Sequence, residues 1–214
     1  SNSTSEAIRL TKAAKDLGAD GALLISPYYN KPSQEGVYRH YMEIADAVGI
    51  PQLLYNVPSR TALNIAPETV ARLSDHDNIV GIKEASGSLE QAMDIMALCP
   101  DDFLMLSGDD AINYPLLAVG GHGSISVTAN VLPDMAAGMH DLFFEGKLDE
   151  ARALAYDLRI MNKVMFIETN PVPVKTALAM MGMMKEEFRL PLTPMSSENR
   201  VNLELALRSY DLVR

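Results

Sequence analysis

Short runs that are apolar on both faces alternate five times with segments of helical period, and after Asn130 only helical segments follow. These two features predict an α/β protein: a parallel sheet of about five βα units with a C-terminal helical extension. Strands covered by helices on both faces lose the polar–apolar alternation of half-exposed strands, and the spacing suits right-handed βαβ units. The bulk properties agree, since 214 residues with 48% hydrophobic and 21% charged side chains suit an ordinary globular chain. A doubly wound sheet and a closed barrel both begin this way, and periodicity does not separate them.

The elements follow in order. Glu6 to Leu17 is amphipathic and stopped by Gly18, and Gly21 to Ser26 reads as the first buried strand. A helix from Gln34 to Val48 ends at Gly49, a residue that accepts the left-handed conformation of a helix stop. Ile50 to Tyr55 is the second strand, and Pro67 to Leu73 a short helix with proline in its first turn. Then come a strand at Ile79 to Ile82, a helix at Leu89 to Leu98, a strand at Phe103 to Leu106, a helix at Ala111 to Val119 and a strand at Gly123 to Val127. Leu132 to Phe144, Leu148 to Ile167, Pro171 to Met181 and Ser197 to Leu212 all read as helices. The expected division is therefore a portion of alternating strands and helices over 1–131 and a helical region over 132–214.

Composition excludes several functions. A net charge of −10, spread along the chain, lacks the basic face that a phosphate backbone needs, so no nucleic-acid partner is expected. No apolar run approaches a membrane span, and the polar opening Ser1-Asn2-Ser3-Thr4 is read as carrying no secretory signal. The one cysteine, Cys99, forms no internal disulfide and reads as a helix-end core thiol, which fits a reducing cytoplasm. The four histidines are scattered, so no metal site is expected, and no Walker loop or dinucleotide fingerprint is present. Gly120-Gly121-His122-Gly123 is a weak glycine signal, with His122 read as a structural loop histidine; Asp109-Asp110 reads as a helix cap. The methionine cluster Met180-Met181 and Met183-Met184 reads as core filling or a buried contact between subunits.

The chemistry is concentrated where strands end. Polar residues follow the apolar runs at Ser26-Pro27-Tyr28-Tyr29-Asn30, at Tyr55 to Thr61, at Lys83-Glu84 and at Ser107 to Asp110. In parallel α/β folds these carboxyl ends gather at one face, where ligands bind. A lysine held in an apolar strand is costly to charge, so its amine is pushed toward the neutral, nucleophilic form that attacks a ketone. The other reading of Lys83 is an ion pair with Glu84. Tyr55 is either a proton-transferring phenol or a packing aromatic, and Arg60 either a carboxylate clamp or a surface loop arginine.

The stretches SPYYNKPSQEG, LYNVPSRT, GIKEASG, LSGDD, GGHGSISVTAN and NPVPVK, in this order along essentially the whole chain, resemble the dihydrodipicolinate synthase family. These are class I, pyruvate-dependent aldolases related to N-acetylneuraminate lyase. The resemblance implies a partial (β/α)8 TIM barrel with a C-terminal helical extension, and no cofactor, because the covalent link is a Schiff base through Lys83. It implies that Lys83 binds pyruvate, that Tyr55 relays protons at the imine, and that Tyr29 completes the relay of a neighbouring subunit. Arg60 would meet the carboxylate of aspartate semialdehyde, and Gly108 and Ile125 would line the pyruvate pocket. Asn2, Glu6 and Tyr28 match part of an inter-subunit lysine-regulatory site. The implied product is hydroxytetrahydrodipicolinate, on the path to diaminopimelate and lysine, made by a cytoplasmic homo-oligomer.

The family's barrel has three further βα units before the point that matches Ser1. They carry a threonine pair, one member binding the pyruvate carboxylate and the other linking the two relay tyrosines, and no residue here matches either. A fragment of a longer synthase, or a short form closed by self-association, is therefore expected, with imine formation surviving better than condensation. The competing readings are another pyruvate aldolase acting on a sugar acid, and a non-catalytic homologue that binds a partner.

Overall fold

The structure, a computed structural model, describes residues 1–214 and divides into two compact units, Ser1–Ile125 and Ser126–Arg214. The first unit runs α1 (Thr4–Asp16), β1 (Ala22–Ile25), α2 (Gln34–Ala47), β2 (Gln52–Asn56), α3 (Pro58–Thr61), α4 (Pro67–Ser74), β3 (Ile79–Glu84), α5 (Leu89–Leu98), β4 (Leu104–Ser107), α6 (Asn113–Ala118) and β5 (Gly123–Ser124). All pairings are parallel, and every strand is bonded to the one before it in sequence, in the order β1-β2-β3-β4-β5. A doubly wound sheet reverses its strand order at a switch point, whereas a barrel adds each strand to the last. The order therefore favours the second of the two arrangements that periodicity left open: each strand is added to the last, as in the wall of a barrel.

The register sorts side chains into two faces, because successive residues of a strand point to opposite sides. Leu24, Leu54, Ile82 and Met105 share one row. Leu54, Ile82 and Met105 are fully buried in a core with Val37 and Tyr41 of α2, Leu73 of α4 and Ile95 of α5. The other face carries Leu23 and Leu104, which stay 44% and 38% exposed. Caps set the helix starts: Ser33 Oγ accepts from Gly36 N at 3.2 Å, and Ser88 Oγ accepts from Gln91 N at 3.1 Å.

The second unit contains α7 (Pro133–Phe144), α8 (Leu148–Asp157), α9 (Arg159–Val164), α10 (Val172–Met180) and α11 (Ser197–Ser209). Its buried side chains include Met139, Ala151, Met161, Ala177, Leu203 and Leu207.

Four departures from the sequence reading have local causes. β3 continues beyond Ile82 through Lys83 and Glu84, because both pair with β2 and β4. Residues read as a loop form α3, which proline opens and Ala62, at φ 57°, closes. The helix expected from Leu148 to Ile167 breaks at Leu158 into α8 and α9. The strand expected to reach Val127 stops at Ser124; Ser126 Oγ accepts from Ala129 N at 2.9 Å and leads into a 3-10 turn at Thr128–Asn130. The methionine cluster is also corrected as core filling in part: α10 ends at Met180, Gly182 turns the chain at φ 76°, and Met183 and Met184 are exposed.

Candidate active site

The carboxyl ends of β2, β3 and β4 build the site. Tyr55 and Lys83 are register partners, and Lys83 is in turn partnered with Leu106. Both side chains project to the face opposite the helix-packed core, and Lys83 Nζ stands 4.2 Å from the centroid of the Tyr55 ring. Burial holds the Lys83 amine below the usual lysine range, against the opposing pull of the Asp110 carboxylate. The ring face favours the ammonium weakly, so desolvation dominates. Burial likewise raises the Tyr55 phenol, and the Arg60 guanidinium opposes that shift. The pair is thus an amine that loses its proton early beside a phenol that keeps its own.

The ion pair between Lys83 and Glu84 does not form. The two are neighbours in an extended strand and point to opposite faces, and the Glu84 carboxylate is satisfied by Asn56, Gln91 and Ser86. Gly108 follows β4 and lies against the lysine: a Cβ there would stand 2.8 Å from Lys83 Cε and 2.8 Å from Ala85 Cβ. Its missing side chain is the space in which the lysine stem lies. Arg60 sits in α3, immediately after β2, within electrostatic reach of the Tyr55 hydroxyl. Ile125 follows β5, its backbone N–H donating to Ser107 O at 2.8 Å, with its side chain exposed.

Tyr29 is placed differently. It lies in the loop after β1 at φ 72° and is 89% exposed. Asn2 and Tyr28 are brought together, with Asn2 Nδ2 donating to Tyr28 O at 3.1 Å and Asn30 Nδ2 donating to Asn2 O at 3.1 Å. Glu6, in the first turn of α1, accepts from Ser1 Oγ and faces Arg9 at 3.5 Å.

Asp110 is a residue that sequence reasoning passed over as a cap. Asp109 does the capping, its Oδ1 accepting from Ala111 N at 3.0 Å, while Asp110 is buried, accepts from Asn113 Nδ2 at 3.1 Å and acts on Lys83. The doublet itself carried no signal to tell the two apart. His122 is structural, its Nδ1 accepting from Met105 N at 3.1 Å. No group of three or more His, Cys, Asp or Glu side chains is placed to hold a metal, and no helix is long and apolar enough to cross a membrane.

Comparison with known proteins converges on one family. The dihydrodipicolinate synthetase family matches residues 1–210. The 4-hydroxy-tetrahydrodipicolinate synthase of Thermodesulfovibrio yellowstonii is 59% identical over 214 residues, which are all of this chain and 74% of that protein. Among solved structures, dihydrodipicolinate synthase from Thermotoga maritima superposes with a TM-score of 0.97 at 42% identity, covering 99% of this chain and 73% of its own. The chloride-inhibited dihydrodipicolinate synthase of Acinetobacter baumannii, complexed with pyruvate, gives a TM-score of 0.96 at 43% identity, covering 99% of this chain and 73% of its own.

Proposed function

This chain belongs to the dihydrodipicolinate synthetase family, and on that premise we propose that Lys83 captures pyruvate as a Schiff base and delivers it to aspartate semialdehyde. Membership makes it a pyruvate-dependent lyase by family; the residue roles and the second substrate are the reading advanced here. The observation that carries it is the Lys83 amine, lowered in basicity by burial and held 4.2 Å from the Tyr55 ring centroid.

The chemistry follows from the groups. The neutral amine of Lys83 attacks the ketone carbon of pyruvate, and the carbinolamine loses water to give the imine. Loss of a methyl proton yields an enamine, whose terminal carbon attacks the aldehyde and forms the new carbon–carbon bond. A phenol that stays protonated, as Tyr55 does, can give a proton to the departing hydroxyl and take one back. Gly108 leaves room for the lysine stem, and Ile125 lines the same pocket. Arg60, beyond Tyr55, suits the carboxylate of aspartate semialdehyde through paired N–H donors. No metal or cofactor is needed, because the imine nitrogen is the electron sink.

Exposed Tyr29 is read as a residue that reaches a second copy of the chain, in a cytoplasmic homo-oligomer. Asn2, Glu6 and Tyr28 are read as a site for a regulatory amino acid. The test is reduction with borohydride in the presence of pyruvate, followed by peptide mass analysis. The reading requires the adduct on Lys83, and an unmodified Lys83 in folded protein overturns it. Arg60→Ala should raise KM for aspartate semialdehyde while leaving trapping intact; unchanged KM favours a different acceptor, such as a sugar acid.

A further inference from the structure

Behind the reactive row lies a second row. Register places Ser26, Asn56, Glu84 and Ser107 side by side on β1 to β4 and their ends, one residue after Ile25, Tyr55, Lys83 and Leu106. All four are 0% exposed. A carboxylate sealed there is costly unless every lone pair finds a donor. Glu84 meets donors alone: its Oε2 accepts from Asn56 Nδ2 at 2.9 Å and Gln91 Nε2 at 3.0 Å, and its Oε1 accepts from Ser86 N at 2.6 Å. The Asn56 amide is itself held in one orientation, its Oδ1 accepting from Ile65 N at 3.0 Å while Nδ2 also reaches Asn64 Oδ1 at 2.8 Å. One side chain therefore ties together the end of β2, the end of β3, the turn after β3 and the first turn of α5.

We propose that Glu84 is a positioning residue: its buried carboxylate clamps the ends of β2 and β3 in the register that seats the Lys83 amine over the Tyr55 ring. The inference rests on Lys83 being the reactive group. Asn56 and Glu84 directly follow Tyr55 and Lys83 in the chain, so fixing one row fixes the other through the pleat. Stability alone does not single out an acid at this row, because a buried ion pair replaced as a whole by apolar residues of similar volume often costs nothing, although removing the carboxylate alone strands its donors. The neighbouring positions of the row are neutral; the charged member is the one joined to the lysine.

Glu84→Gln tests this, since it keeps the size but turns an amide NH2 toward donors. Adding Asn56→Asp to that variant restores an acceptor opposite the new donor. Two readouts are taken on protein shown to be folded by circular dichroism: the pH midpoint of Lys83 acetylation by acetic anhydride, and the rate of borohydride trapping with pyruvate. In Glu84→Gln the midpoint is expected to rise by about one pH unit as the amine moves toward water, and trapping to slow about ten- to a hundredfold. Removing a negative charge would by itself lower the midpoint, so a rise reports position; Tyr55 and Asp110, the groups that face the amine, are unchanged. The double variant should recover at least half of both effects. Gln91→Leu, which keeps the carboxylate and removes one donor, should shift both readouts in the same direction by a smaller amount and serves if Glu84→Gln does not fold. A folded Glu84→Gln, or failing that a folded Gln91→Leu, with midpoint and trapping rate unchanged overturns the clamp even if its melting temperature falls. A wild-type chain that acetylates with a lowered midpoint but never traps pyruvate refutes the proposed function, and the acetylation series still decides the clamp.

Discussion

At the residue scale, the reactivity of Lys83 is a balance between desolvation, which lowers its pKa, and Asp110, which raises it. Trapping should accelerate as pH rises through a midpoint below the ordinary lysine value and then level off. Asp110→Asn removes the opposing charge, so the midpoint should fall further and trapping near neutral pH should quicken. A pH profile of borohydride trapping for the two proteins checks this, and a midpoint that rises in Asp110→Asn contradicts it. His40 supplies a second titration, away from the site. Burial lowers its pKa from 6.5 to about 4, and its Nδ1 meets Thr4 Oγ1 at 2.9 Å, joining α2 to α1. A lowered folded value means that the unfolded chain binds the proton first. The stability this histidine contributes is complete above pH 6.5 and is lost as pH falls toward about 4. Denaturant titrations should show wild type losing about 1–2 kcal/mol more than His40→Gln over that window, after allowance for solvent screening. Parallel losses in both proteins would remove His40 from the account.

At the element scale, β3 and β4 approach closely because Gly81 has no side chain. A Cβ there would stand 2.4 Å from Leu104 O and 2.6 Å from Leu104 Cβ. Backbone cannot yield as a flexible side chain can, so Gly81→Ala should cost about 3 kcal/mol, at the upper end of overpacking effects. It should also disturb Lys83, two residues on, so slower trapping should accompany the lower denaturation midpoint; wild-type stability would show that the strands can part. Element types were legible because they depend on local period: all five strands overlap the apolar runs that predict them, and the long helices follow helical spacing, except that the Leu148 to Ile167 segment breaks at Leu158. The ends were less so. Lys83 and Glu84 read as residues after a strand because polarity usually marks its end, yet hydrogen bonds from both neighbours carry β3 through them. The turn of α3 was hidden because four residues are too short to show a period.

At the scale of the whole molecule, β1 and β5 are the two edges of the sheet, and the face bearing Lys83 leaves Leu23 and Leu104 partly open. Unpaired strand edges and apolar faces favour association. Light scattering of the 214-residue chain should give a mass above the monomer, and Leu23→Glu should lower it. A dilute monomer with a cooperative melt would contradict that expectation.

Composition and pattern by themselves determined the α/β alternation, the helical tail, the net negative charge, and the place of a lysine at the end of an apolar run. Each of these is a property of a residue and its near neighbours in the chain. Strand order, the meeting of Tyr55 with Lys83, the turning of Glu84 away from the lysine and the separate tasks of Asp109 and Asp110 were decided only in three dimensions. They depend on register between strands distant in sequence, and on the pleat that sends adjacent side chains to opposite faces, where one meets the open site and the next is sealed beneath helices.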